Sequence, residues 1–200
     1  MINIYRAYKS IISRFTKIIN HIICIIKFQG YGVNYSSFRT TGIPYIFVAQ
    51  KGYIKIGKHF AMNNGVHGNP IGCYEKCTFF VGPNCDLKIG DNVGISQTAL
   101  ICYAKLTIGN NVKIGGGTCI WTTDFHSLDA HIRRSSEDFQ YKKCEPIVIG
   151  DNVFIGAKSL ILKGVSIGEN SIIGAGSVVT KSIPANEIWG GNPAKFIRKI

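Results

Sequence analysis

Twelve positions of this chain fall into one phase: Ile89, Ile95, Ile101, Ile108, Ile114, Ile120, Ile149, Ile155, Ile161, Ile167, Ile173 and Val179. The step is six residues, broken by one seven-residue step after Ile101 and one long gap after Ile120. A period of six is neither helical nor a plain alternation, so it reads as a structural repeat. Two residues before each phased position stands another apolar or small side chain: Leu87, Val93, Ala99, Leu106, Val112, Thr118, Ile147, Val153, Ser159, Val165, Ser171 and Ser177. Alternation along a short strand places both sets on one face. Three residues after the phased position come Asn92, Asn111, Gly117, Asn152, Gly164, Asn170 and Gly176. Glycine and asparagine tolerate the positive φ that a tight corner needs. Each hexad is therefore a short strand plus a corner, and three hexads close a triangular coil.

Each buried isoleucine contributes about 1.5–3 kcal/mol of transfer free energy. Ordering one residue's backbone costs about 1–2 kcal/mol. A single coil cannot fold alone, and the stack must be cooperative. The expected fold is mainly β: a parallel β-helix of triangular coils over residues 30–180, preceded by a helix at 1–29 and followed by a C-terminal segment at 181–200. The stretch from Gly30 to about Gly82 is less regular, with Ile54, Ile56 and Val81 marking degenerate first coils. A single extra residue near Tyr103 to Leu106 predicts a bulged corner. Phase is lost after Ile120 and resumes at Ile147–Ile149, which predicts a loop protruding over about 122–146. Long structureless insertions in compact domains are usually functional.

Charge is uneven along the chain. The formal net charge is +12, yet no Asp or Glu precedes Glu75. Within the first helix, Ile4, Tyr8, Ile11, Phe15, Ile18, Ile22 and Ile25 recur at steps of three and four. Its longest unbroken apolar run, Ile22–Ile26, is far short of the ~20 residues that span a bilayer. Two readings stand for this helix. It lies in a membrane interface with its basic residues near anionic lipid, or it packs on the coils or on a neighbouring subunit. No nucleic-acid-binding motif accompanies the charge. The seven cysteines and the lack of a secretory signal point to reduced thiols in a cytoplasmic protein, with the inner membrane face as the place of the helix under the first reading. Cys73 and Cys77 lack the second ligand pair of a zinc site.

The insertion carries Trp121-Thr-Thr-Asp124-Phe-His126-Ser-Leu-Asp-Ala-His131-Ile-Arg133-Arg134. The closing run is Ile173-Gly-Ala175-Gly-Ser-Val-Val-Thr180-Lys181-Ser-Ile-Pro-Ala-Asn186, followed by Gly191-Asn-Pro-Ala-Lys195-Phe-Ile-Arg198. Phased hexads, a looped insertion with a histidine and this closing run together resemble the hexapeptide-repeat acyltransferase superfamily over residues 50 to 200. The closing run is similar to that of the maltose, galactoside and nodulation acetyltransferases. The Asp-x-His loop is similar to that of bacterial surface-polysaccharide acetyltransferases.

The resemblance implies a left-handed coil, a homotrimer and acetyl transfer from acetyl-CoA, as co-substrate, to a saccharide hydroxyl, with no metal required. It makes His126 the general base, with Asp124 the candidate for orienting its ring. For the donor it implies Ala157 and Ala175 beside the pantetheine arm, Thr180 and Lys181 at the adenine end, and Lys195 and Arg198 facing phosphate. The chain departs from the sugar-acetyltransferase pattern at Ile95-Ser96-Gln97, where those relatives carry acceptor-contacting Asn and Asp. Acceptor contacts are therefore assigned by chemistry alone to Tyr103, Trp121 and Arg133. The saccharide acceptor implies surface-polysaccharide assembly, and a lipid-linked glycan is one form it can take. Rival readings are N-acetylation of an amino sugar or its nucleotide conjugate, a non-catalytic scaffold coil, and a γ-type carbonic anhydrase. The last would use His126 and His131 with His59 or His67 on zinc.

Overall fold

The computed structural model describes residues 2–200, apart from the side chain of Asn3. Ile2–Gly30 is one α-helix, and the chain then winds into a three-faced parallel β-helix. The first face stacks Asn34–Tyr35, Tyr53–Ile56, Asp86–Ile89, Lys105–Ile108, Ile147–Ile149 and Ser166–Ile167. The second stacks Phe38–Thr40, Phe60–Asn63, Gly94–Ser96, Lys113–Ile114, Phe154–Ile155 and Ile172–Ile173. The third stacks Tyr45–Val48, Thr78–Val81, Ala99–Cys102, Cys119–Trp121, Leu160–Ile161 and Val178–Val179. The coils continue past residue 180: Ile183 bridges to Ile167, and Glu187–Gly190 pairs in parallel with Ile172–Ile173. Lys195–Lys199 then folds back antiparallel on Glu187–Gly190 and closes the second face.

The core is the ladder that the phase implies. Ile89, Ile108, Ile149 and Ile167 stand over one another on the first face, and Ile95, Ile114, Ile155 and Ile173 on the second. All eight are buried. Asn92, Asn111, Gly117, Asn152, Gly164, Asn170 and Gly176 all take positive φ, between 58° and 76°. At the corner between the first and second faces, the asparagines also bond to one another. Each Nδ2 donates to the next Oδ1 along Asn92, Asn111, Asn152, Asn170 and Asn186, at 2.9–3.1 Å. The same residue type thus supplies the left-handed turn and a polar seam along it.

On the third face the expected phase holds at Ile120, Ile161 and Val179 but is wrong by one residue in the coil through Ala99–Cys102. Leu100 pairs with Phe79 and Ile120 and is fully buried, with Thr98 and Cys102, while Ala99 and Ile101 turn outward. The cause is Gln97, which takes φ 41° and shortens that corner by one residue. The next corner, through Tyr103 and Ala104, is longer to compensate and restores phase at Leu106 and Ile108. A phase with Ala99 and Ile101 inward puts Leu100 on the outer surface; it is instead core. A second departure is a 14-residue excursion at 64–77, with a short helix at Gly65–Gly68, between Phe60–Asn63 and Thr78–Val81. It folds back over the coil edge: Ile71 and Cys73 lie against Gly116 and Gly117. Cys77, buried there, donates its thiol to the Asn63 carbonyl, and burial pushes its pKa up to about 12.

The register correction has a direct test. Leu100→Ala should cost about 2–5 kcal/mol in denaturant unfolding, as for a buried Leu, whereas Ile101→Ala should cost well under half as much.

Candidate active site

The long loop leaves the corner between the third and first faces, and its root is a short antiparallel clasp. Thr123 bridges Cys144, the Asp124 amide donates to the Lys143 carbonyl, and the Glu145 amide donates to the Thr122 carbonyl. Thr122 is fully buried, and its hydroxyl accepts from the amides of Tyr103 and Ala104 on the preceding coil. Lys163, on the following coil, forms an ion pair of 2.7 Å with Asp124. The loop is therefore fastened both above and below its point of exit.

That ion pair corrects the expected role of Asp124. Its carboxylate belongs to the loop root, and Phe125, with φ 65°, turns the chain before His126. The group that meets the imidazole is Asp138: its Oδ2 lies 2.6 Å from His126 Nδ1, while its Oδ1 accepts from the Ser127 amide at 2.7 Å. A carboxylate accepts only, so Nδ1 carries a proton, and in the neutral ring Nε2 is the nitrogen with the lone pair. The donated bond from His126, reinforced by the Ser127 amide, holds the Asp138 carboxyl below its usual range. Nothing in the sequence marked Asp138, because it lies 12 residues beyond His126 with no periodic relation to it. The His126 side chain is 68% exposed.

The other expected acceptor residues prove to be partly committed. Tyr103 packs between Phe80 and Phe139, at 5.2 and 5.7 Å between ring centroids, with Lys142 Nζ 4.7 Å from its ring. It anchors the returning limb of the loop to the coil body. Trp121 meets Phe125 edge-on at 5.3 Å. Arg133 is exposed and is partly engaged within the loop: its Nη1 donates to the carbonyls of Ser127 and Leu128, tying the short helix Ala130–Arg133 back to the residues after His126. Asp129 caps that helix by accepting from the amides of His131 and Ile132.

The donor candidates divide between two corners. Ala157 and Ala175 stack at the corner between the second and third faces. A methyl on Gly115 would come 2.4 Å from the Ala157 amide nitrogen, and one on Gly156 would come 2.4 Å from that of Ala175. This edge admits no bulk within the column itself, which leaves a smooth backbone strip. Thr180 and Lys181 are exposed at the other corner, below the loop root and Lys163. Lys195 and Arg198 are exposed on the closing strand of the second face.

A family model described as the hexapeptide repeat of succinyl-transferase matches residues 146–181. The hexapeptide-repeat acetyltransferase of Vibrio cholerae is 37% identical over 59% of this chain and 68% of its own, with a TM-score of 0.52. The chain belongs to the hexapeptide-repeat acetyltransferase family. Its coils are accordingly left-handed, as the resemblance implied. A galactoside acetyltransferase solved with coenzyme A is 27% identical over 84% of this chain and 64% of its own, with a TM-score of 0.50. The mitochondrial γ carbonic anhydrase 1 of Arabidopsis thaliana is 33% identical over 73% of this chain and 56% of its own. The chain spans 60%, 44% and 65% of the length of the yeast, fission yeast and Dictyostelium acetyltransferases that it matches.

The anhydrase reading needs three histidines on one metal. The rings of His126 and His131 are held by different partners, Asp138 and the Arg134 guanidinium at 3.1 Å. Among the described residues, no group of three His, Cys, Asp or Glu side chains is placed to hold a metal ion.

The Asp138 contact should depend on pH in one direction. A carboxyl whose folded pKa is depressed contributes stability above its unfolded value of about 3.9, and that contribution is lost as pH falls through the lower folded value. Protection of the Ser127 amide, measured as exchange relative to its intrinsic rate at each pH, should therefore stay high at neutral pH and fall only in acid. In Asp138→Asn it should be low throughout.

Proposed function

We infer that this protein transfers an acetyl group from acetyl-CoA to a hydroxyl of a saccharide, with His126 as general base. The observation that carries the reading is the Asp138–His126 pair on a loop fastened to the edge of the coil stack. It gives an imidazole with a fixed tautomer and a free Nε2 facing outward. A sugar hydroxyl is a weak nucleophile at neutral pH and needs a positioned base. Nε2 takes the hydroxyl proton as the oxygen attacks the thioester carbonyl carbon. The resulting tetrahedral intermediate expels the thiolate, and the imidazolium returns the proton to sulfur. Products are the O-acetyl ester and free coenzyme A, with no acyl-enzyme. Asp138 orients the ring and stabilises the imidazolium as it forms, without taking the proton itself.

The donor residues fit this chemistry. The backbone strip at Ala157 and Ala175 suits an extended pantetheine arm, and the exposed amines of Lys181 and Lys195 and the exposed guanidinium of Arg198 suit phosphate. The smooth strip and the base-bearing loop belong to different corners of one chain. A homotrimer of side-by-side prisms joins the loop of one chain to the donor edge of the next, and it also covers Val148 and Phe154, apolar side chains about half exposed on the outer faces. Trp121, beside Phe125 near the loop root, offers an aromatic face to a sugar ring. We place the reaction in the cytoplasm, during the assembly of a surface polysaccharide.

The reading is tested by thiol release from acetyl-CoA with a panel of oligosaccharides and nucleotide sugars. His126→Ala should lower kcat/KM by about 10²–10⁴, the usual contribution of a general base. Asp138→Asn should lower it by roughly ten- to a hundredfold, the loss seen when the group orienting a functional histidine is removed. Asp124→Asn should act mainly on thermal stability. Full transfer by His126→Ala, or thiol release with amino sugars and with no hydroxyl acceptor, would overturn the assignment.

A further inference from the structure

The N-terminal helix presents one exposed apolar face, whose edge at Tyr5, Tyr8 and Ile12 lines a groove shared with Thr41 and His67 of the coil body. Only its last turns touch the coils: Cys24 and Phe28 are buried, the His21 ring lies 4.5 Å from Phe38, and Lys27 Nζ donates to the Pro44 carbonyl at 3.3 Å. At 3.6 residues per turn, these four contacts share one side of the helix. Ile4, Ile11, Phe15, Ile18, Ile22 and Ile26 share the opposite side, and each is at least half exposed. Ile22 and Ile26 remain exposed within the very turns that hold Cys24 and Phe28. The body of the protein therefore fixes the helix with its apolar face outward.

The chemistry of the two borders identifies what covers that face. Tyr5, Ile12 and Ile19 add a further apolar row, so the strip is wider than the two-row seam of a coiled coil. Lys9 and Arg14 flank the strip, Arg6 and Lys17 stand on the side of Cys24 and Phe28, and no acidic residue occurs in the helix or before Glu75. A bundle of such helices from several copies would gather like charges with no carboxylate between them. A long strip on a helix whose charged residues are all cations matches an anionic bilayer surface, where the apolar side chains enter the acyl boundary and the flanking basic ones meet phosphate. No helix among the described residues is long and apolar enough to cross a membrane.

We propose that Ile2 to about Ile19 forms an interfacial anchor that lays this protein on an anionic lipid surface. This does not rest on the acetyltransferase assignment. The test uses the full chain and co-sedimentation with two vesicle types: phosphatidylcholine alone, and phosphatidylcholine mixed with phosphatidylglycerol. Binding should favour the mixed vesicles and weaken as salt is raised. Phe15→Glu should lose at least tenfold in affinity. Lys9→Gln and Arg14→Gln should lose about fivefold each, the equivalent of about 1 kcal/mol per charge near the surface. Phe15, Lys9 and Arg14 are all exposed on the helix, so the unfolding transition of the β-helix should be unchanged, which separates loss of anchoring from loss of fold. Failure to bind mixed vesicles, equal binding to both vesicle types, or a change of oligomeric state in Phe15→Glu with no vesicle binding would overturn the proposal. The last outcome would assign the strip to a second copy of the chain.

Discussion

The structure depends on one constraint: every coil must return an aliphatic side chain to the same place above the last. A six-residue side of the triangle does this only if its corner closes in a left-handed turn. Asn92, Asn111, Asn152, Asn170 and Asn186 meet that demand at φ near 60° and bond to one another along the edge. Where the corner residue changes, the ladder shifts. Gln97 closes its corner one residue early, and Leu100 takes the core place that Ile101 would otherwise hold. The fold is a sum of nearest-neighbour stacking, so such an error is absorbed within one turn and does not spread.

The same regularity makes the exceptions functional. A coil edge is already saturated with backbone hydrogen bonds and can extend a loop without breaking the stack. The long loop uses this freedom but is not loose. Thr122 ties its root to the coil above, and the Asp124–Lys163 pair ties it to the coil below. Arg133 and Asp138 then spend their polar groups on the residues around His126. The imidazole is thus set by a short chain of contacts that begins in the core.

These contacts explain what could and could not be read from the sequence. The phased isoleucines and the turn formers are local and periodic, so the coil, its triangular closure and the site of the long insertion were legible. The excursion at 64–77 fell where the hexads were already degenerate, between Met62 and Phe79, and no phase remained to show the gap. Asp138 was hidden for a different reason. The loop has no period, so the carboxylate that meets His126 is selected by the path of the chain, and Asp124 lay closer in sequence while folding onto Lys163. Arg133 offered the right chemistry for an acceptor but is used within the loop. The apolar stripe of the helix was visible in its three-and-four spacing. Its outward direction was not, since that follows from Cys24 and Phe28 packing on the opposite side.

The central claim is that an imidazole on this loop meets a thioester lying along a coil edge. The most direct measurement is the position of the bound coenzyme A in a crystal structure of the assembled protein. The account predicts the pantetheine arm along the Ala157–Ala175 edge, with its sulfur in reach of His126 Nε2 from a neighbouring chain. Coenzyme A bound on a coil face remote from every copy of His126 would contradict it.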